Sequence, residues 1–71
     1  MFQENLFKIA LLKKKVSTKE LAAELGISES TLYRKIQADG NFNREEINTI
    51  IDFLELSTND FKDIFFAEEL A

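Results

Sequence analysis

The chain has 71 residues and a formal net charge of −4, and it contains neither Cys nor His. This length allows one domain, residues 1–71, with a small core, since a domain of this size buries roughly 60% of the surface that its unfolded chain exposes. The missing Cys and His remove disulfides, thiolate metal sites, the usual general base and the usual zinc ligand, so we expect no metal, cofactor, small-molecule substrate or enzyme activity.

Apolar runs are short, as at residues 9–12, and a membrane span needs roughly 20 residues. The first residues also lack the basic start of a signal peptide, so we expect a soluble cytoplasmic protein. Charge is uneven along the chain. Residues 1–41 hold seven Lys or Arg against five Asp or Glu, net +2, whereas residues 42–71 hold two against eight, net −6. The acidic part can face away from a polyanionic partner that the basic part contacts.

The first predicted helix covers residues 2–14. Apolar side chains recur there at helical spacing, and no helix breaker precedes Val16. These side chains are Leu6, Phe7, Ala10 and Leu11. The three lysines at residues 13–15 form either a solvated helix end that complements the helix dipole or a contact to phosphate.

Residues 17–37 predict two short helices joined by a tight turn. Ser17 and Glu20 have the spacing of a capping box, which starts helix 2 over residues 18–25. Gly26 suits the positive φ at which a helix stops. Ser28 is the expected N-cap of helix 3, over about residues 29–38, and Gly40 suits a left-handed C-cap after it. The stretch therefore predicts a helix-turn-helix.

Helix 3 is expected to have one apolar and one polar side. Leu32 and Ile36 point one way, and a stripe of hydroxyl, phenol, guanidinium and amide groups lies opposite. The stripe consists of Ser30, Tyr33, Arg34 and Gln37. Such groups suit the edges of base pairs in a major groove, and the alternative is a solvated face.

Two further helices complete the expected core. Asn43 and Glu46 repeat the capping spacing before an apolar stripe of helix 4, and Ser57 starts a short helix 5. The apolar positions are Ile47, Ile50, Ile51 and Leu54 in helix 4, and Phe61, Ile64 and Phe65 in helix 5, while Phe42 in the preceding loop is expected to point inward. Phe66 and Leu70 follow, either as an exposed partner surface or, for Phe66, folded back on the core.

The helix-turn-helix stretch resembles that of phage repressors and Cro-like regulators, and most of the chain also looks like a group of short phage-encoded proteins. The matching residues are Leu21-Ala22, Gly26-Ile27-Ser28 and Ser30-Thr31-Leu32. The resemblance implies an all-α, compact five-helix, lambda-repressor-like DNA-binding domain. In that family the residue at Ala22 lets the two helices approach, and the residue at Leu32 fills the space between them. One departure is Lys35, where the family usually has an apolar residue, here displaced to Ile36.

The resemblance and the polar stripe together predict a sequence-specific transcriptional regulator of a phage or prophage that binds a double-stranded DNA operator. Helix 3 enters the major groove, where the stripe meets base edges. The expected phosphate contacts are Thr18, Lys19, Ser28, Lys35, Asn43 and Arg44, of which Thr18 is equally well a helix-start residue and Ser28 a cap. Glu29 must pair with a cytosine amino group, bond within the protein, or be repelled.

The regulator is expected to act as a homodimer, with Phe66 and Leu70 at the interface, because one small module covers only a few base pairs. The alternative from another class is a phage protein-binding module that uses the same fold and presents its acidic C-terminal half to a regulator or polymerase. Net acidity favours the alternative, and the stripe on helix 3 favours DNA.

Overall fold

Five α-helices account for the secondary structure of residues 2–66, the part of the chain that the computed structural model describes. They are α1 (Glu4–Lys13), α2 (Thr18–Leu25), α3 (Glu29–Gln37), α4 (Arg44–Leu54) and α5 (Thr58–Phe65). No strand occurs among these residues. The expected all-α, five-helix fold is therefore confirmed, with α2 and α3 as its helix-turn-helix.

Capping side chains begin four of the helices. Ser17 Oγ accepts the Glu20 N–H at 3.0 Å while Glu20 Oε1 accepts the Ser17 N–H at 2.9 Å. Asn43 and Glu46 form the same reciprocal pair at the start of α4. Single caps start α3 and α5 through Ser28 and Ser57. Each pair satisfies amides that a helix start would otherwise leave unbonded, so the boundaries predicted at these positions are confirmed.

The turn between α2 and α3 depends on the backbone of Gly26, which has a φ of 73°. The Gly26 N–H donates to the Ala23 carbonyl at 3.1 Å, and the Ile27 N–H donates to the Ala22 carbonyl at 3.0 Å. A Cβ added to Gly26 would meet no atom within 4 Å. Glycine is needed here for its left-handed conformation and not for space.

The N-terminal segment differs from the sequence prediction. α1 begins at Glu4 and not at residue 2, because the two preceding residues are tied to distant parts of the chain. The Phe2 N–H donates to Asp39 Oδ1 at 3.2 Å, and the Gln3 N–H donates to the Ile64 carbonyl at 2.7 Å. Leu6, expected beside the core, is 40% exposed, whereas the Phe2 ring is buried.

α3 ends one residue earlier than expected, at Gln37, with Ala38 as its C-cap at a φ of −88°. The left-handed conformation comes after the cap, at Asp39 and Gly40, with φ of 61° and 70°. A Cβ on Gly40 would lie 2.4 Å from the Phe2 ring. Gly40 is therefore required both for its backbone conformation and for the close approach of Phe2.

The core is one cluster of buried aromatic and aliphatic side chains. Phe2, Phe7, Phe42 and Phe65 form its aromatic part, with neighbouring ring centroids 5.4–6.2 Å apart. Its aliphatic members with no solvent exposure are Leu21, Leu32, Ile50 and Leu54. Phe42 is buried as predicted. α2 packs against α3 and α4, and α1 packs against α5. The buried residues of α3 are Leu32 and Ile36, which share one side of that helix.

Candidate nucleic-acid interface

α3 is anchored through its apolar side and exposes the other. Leu32 is fully buried and Ile36 is 3% exposed. Ala22 is a small residue of α2, the helix that packs against α3, and it is only 3% exposed. The polar stripe lies on the opposite side of α3, and all four of its members are exposed: Ser30, Tyr33, Arg34 and Gln37. The structure therefore brings the predicted base-reading residues together on one surface.

Thr18 links Tyr33 to Glu29 through two hydrogen bonds of its hydroxyl group. Thr18, the first residue of α2, donates from Oγ1 to Glu29 Oε2 at 2.7 Å. The Tyr33 hydroxyl lies 3.1 Å from the same Thr18 Oγ1. Glu29 is the first residue of α3, so its carboxylate bonds within the protein, which is one of the three outcomes considered for it. We call Thr18, Glu29 and Tyr33 the hydroxyl relay.

A second set of hydrogen bonds orders the other edge of the stripe. Ser28 Oγ accepts the Thr31 N–H at 3.1 Å as the cap of α3 and donates to Thr31 Oγ1 at 2.9 Å. Arg34 Nη2 donates to the same Thr31 Oγ1 at 3.2 Å. Because Thr31 Oγ1 already accepts two hydrogens, its own hydrogen is available to a further acceptor. Ser28 thus serves the cap, and it also lies 3.4 Å from the Ser30 hydroxyl.

Thr31 was not among the predicted site residues. The spacing of Ser28, Thr31 and Arg34, three residues apart each time, is the signal that indicates it, since residues at this spacing are neighbours on a helix. Thr31 therefore links the exposed guanidinium of Arg34 to the cap of α3.

Lys35 forms an ion pair that bridges α3 and α4. Its Nζ lies 3.2 Å from Glu46 Oε1, and the two side chains are 26% and 11% exposed. The same oxygen accepts the Asn43 N–H in the capping box of α4. Ile36 takes the buried position, which accounts physically for the departure from the family pattern at Lys35.

The remaining predicted phosphate contacts lie at helix starts. Lys19 is the second residue of α2, and Arg44 is the first residue of α4, and both are exposed. Asn43 accepts the Glu46 N–H with its side-chain oxygen, so its amide hydrogens remain available as donors. In the lysine run, Lys14 pairs with Glu55 at 3.0 Å, which ties the end of α1 to the end of α4.

Phe66 lies on an apolar groove between α4 and α5. The groove is lined by Arg44, Ile47, Asn48, Ile51, Phe61 and Phe66. The Phe66 ring meets the Phe61 ring edge-on, with centroids 5.2 Å apart, yet remains 56% exposed. Phe66 is therefore not folded into the core. Leu70, the other predicted interface residue, lies outside the described residues.

Metal-binding groups and membrane-spanning helices are both absent from residues 2–66. No group of three or more acidic, His or Cys side chains there is arranged to hold a metal ion. None of the helices in that part of the chain is both long and apolar enough to cross a membrane.

Comparison with known families agrees with this geometry. The family model described as the Cro/C1-type HTH DNA-binding domain matches residues 7–65, which include all five helices except the first three residues of α1. No curated protein and no solved structure matches the chain. The family match covers most of the chain, including the whole helix-turn-helix. The chain therefore belongs to the Cro/C1-type helix-turn-helix DNA-binding domain family.

Proposed function

We propose that the protein is a sequence-specific transcriptional regulator of a phage or prophage, in which α3 enters the major groove of an operator. The observation that carries the proposal is the exposed polar stripe on a helix whose other side is fixed in the core. Side chains on a rigidly held helix lose little conformational entropy when they bind base edges. The resemblance to phage repressors and Cro-like regulators supports the phage origin, and binding would either block or recruit transcription.

Within this proposal the residues divide into two roles. Ser30, Tyr33, Arg34 and Gln37 face base edges. Phosphates are held by the side chains of Lys19, Lys35, Asn43 and Arg44. Thr18 and Ser28 contact phosphates through their backbone N–H groups, because their hydroxyl hydrogens are donated to Glu29 and Thr31. Lys35 adds a positive charge at the side of the stripe while it remains paired with Glu46. The outward hydrogen of Thr31 suits a phosphate oxygen beside Arg34.

We infer further that the regulator works as a two-fold homodimer on DNA. A second module about one helical turn, roughly 34 Å, along the duplex doubles the number of base pairs read. The groove that carries Phe66 supplies an apolar contact surface. The groove belongs to the part of the sequence with a net charge of −6. Arg44, a proposed phosphate contact, also lines it, so the interface borders the side of α4 that faces DNA.

The test of the proposal is selection of bound fragments from random and phage genomic DNA, followed by titration of the best fragment at several salt concentrations. We expect an enriched two-fold symmetric sequence and an affinity that falls linearly with the logarithm of salt, since each neutralised phosphate releases a counterion. Binding without any enriched sequence would contradict sequence-specific recognition.

A protein-binding role is the second candidate, because the acidic half of the chain and the apolar groove lie together. A module of this kind would engage a regulator or polymerase and would show no salt-dependent retention on DNA. Retention on a DNA column that is lost with rising salt therefore separates the two functions.

A further inference from the structure

We propose that the hydroxyl relay makes Tyr33 a hydrogen-bond acceptor toward DNA, so that it selects adenine or cytosine and rejects guanine or thymine at the base it meets. The inference rests on the proposed function, since it requires α3 in a major groove. Glu29 is a positioning residue in this scheme. It does not touch the base but fixes the direction of the hydrogen bonds that end at Tyr33.

The direction follows from the chemistry of the three groups. A glutamate carboxylate at neutral pH has no hydrogen and can only accept, so at 2.7 Å the Thr18 hydroxyl must donate to Glu29. That bond uses the one hydrogen of Thr18. The Tyr33 oxygen lies 3.1 Å from Thr18 Oγ1, and two oxygens at this distance without a hydrogen between them would repel. The Tyr33 hydroxyl therefore donates to Thr18.

With its only hydrogen used, the Tyr33 oxygen offers lone pairs alone to a ligand. The Tyr33 side chain is 45% exposed, on the surface that the polar stripe forms. A phenol without the relay could donate or accept and would tolerate any base. The relay removes that freedom.

The bases differ in whether they present a hydrogen-bond donor or an acceptor in the major groove. Adenine and cytosine each present an amino group there, whereas thymine and guanine present carbonyl oxygens. Every base pair has one of each, so the relay does not distinguish A·T from G·C. It specifies which strand carries the amino base. A carbonyl oxygen opposite Tyr33 would leave two acceptors facing each other, which weakens binding on the order of tenfold.

The experiment is selection of bound sequences from random DNA by the wild-type protein, Tyr33→Phe, Glu29→Gln and a control, Glu24→Gln. We expect the wild type to show one position, in each half-site, at which A and C are accepted and G and T are depleted about tenfold. Tyr33→Phe should equalise the four bases at that position alone.

Glu29→Gln is the sharper variant. Its amide can donate to Thr18 Oγ1, which lets Thr18 donate to Tyr33 and frees the Tyr33 hydrogen for a carbonyl oxygen. G and T should therefore rise at the Tyr33 position while the rest of the site is unchanged. Glu24→Gln removes the same charge from an exposed position of α2 and should leave the preference as in the wild type. A general electrostatic effect would instead strengthen binding to all sequences in both variants.

Three results would overturn the inference: a Tyr33-dependent position that selects G or T, no position that responds to Tyr33→Phe, or a Glu29→Gln preference identical to that of the wild type. In each of these cases the protein still selects a sequence, so the proposed function stands. Absence of any enriched sequence for the wild type would remove the proposed function and the inference with it. Thermal melts of the variants establish that each is folded.

Discussion

The helix-turn-helix half of the molecule and the α4–α5 half share one core but present surfaces of different chemistry. α2 and α3 expose hydroxyl, phenol and guanidinium groups that are already hydrogen-bonded, as in the hydroxyl relay and around Thr31. α4 and α5 expose an apolar groove in an acidic part of the sequence. In so small a domain, each surface can be tested separately only if the shared core remains intact.

The largest expected effect comes from the junction of the two halves at Gly40. Gly40→Ala should reduce the free energy of unfolding by about 2 to 5 kcal/mol, because it combines a strained positive φ with displacement of the Phe2 ring. DNA binding by α2 and α3 and association through the α4–α5 groove should therefore both weaken. Gly26→Ala is the matched control, with the same kind of φ and open space, and should cost about 1 to 2 kcal/mol. Equal costs in urea unfolding would show that Phe2 is not held against Gly40.

A change at Ala22 should disturb the packing of α3 against α2 and leave the α4–α5 surface unchanged. Ala22→Leu overpacks a position with 3% exposure and should cost about 1 to 3 kcal/mol of stability or more. Ala23→Leu adds the same atoms at the exposed neighbouring position and should change stability by less than about 0.5 kcal/mol. Thermal melts compare the two, and similar melting temperatures would contradict the packing of Ala22.

The two halves also differ in how far their features could be predicted from sequence. Caps, turn and apolar stripes are local, so Ser17, Gly26, Asn43 and the five helices were correctly predicted. Helical periodicity assigns a residue to a face of its own helix but does not show what lies opposite. The hydroxyl relay joins the starts of two helices and was therefore not predictable in this way.

The core illustrates the same limit. A single aromatic residue before a helix has no periodic pattern, and Phe2 is placed by hydrogen bonds of its segment to Asp39 and Ile64, both distant in sequence. Lys35 could be recognised as a departure, but its pairing with Glu46 depends on the tertiary fold that brings the start of α4 near α3. Long-range contacts of this kind are set by the tertiary fold.

Arg34 tests what the polar surface reads. Arg34→Ala should weaken binding to the selected sequence by about 1 to 3 kcal/mol and relax the preference at one base pair, because a guanidinium can bond guanine with two hydrogen bonds. Its stability should change little, since the side chain is exposed. Binding assays on the selected site and on single-base variants measure this. If affinity and preference both stay unchanged, α3 is not the reading helix.

Lys19 should affect affinity without affecting sequence preference. Lys19→Ala removes one positive charge from the start of α2 and should lower the slope of log affinity against log salt by about one unit, equally for all sequences. Lys62→Ala removes the same charge from an exposed position of α5 and should leave the slope unchanged. A loss confined to one base pair would instead place Lys19 at a base edge.

Phe66 tests the α4–α5 surface, and its replacement has the smallest expected effect on stability. Phe66→Ala removes a side chain that is 56% exposed and should leave the fold intact while abolishing cooperative binding to a two-fold site. The matched control is Leu12→Ala, which deletes an apolar side chain that is 75% exposed on α1 and should leave cooperativity unchanged.

Salt should separate dimerisation from DNA binding. Association through the groove brings together two chains whose residues 42–71 each carry a net charge of −6, so screening by salt should strengthen it. DNA binding should weaken over the same range, because there the screened charges are of opposite sign. Sedimentation across a salt series, with and without an operator fragment, measures both. A wild-type monomer under every condition, bound singly to an asymmetric site, would contradict the dimer and leave the groove without a role in DNA binding.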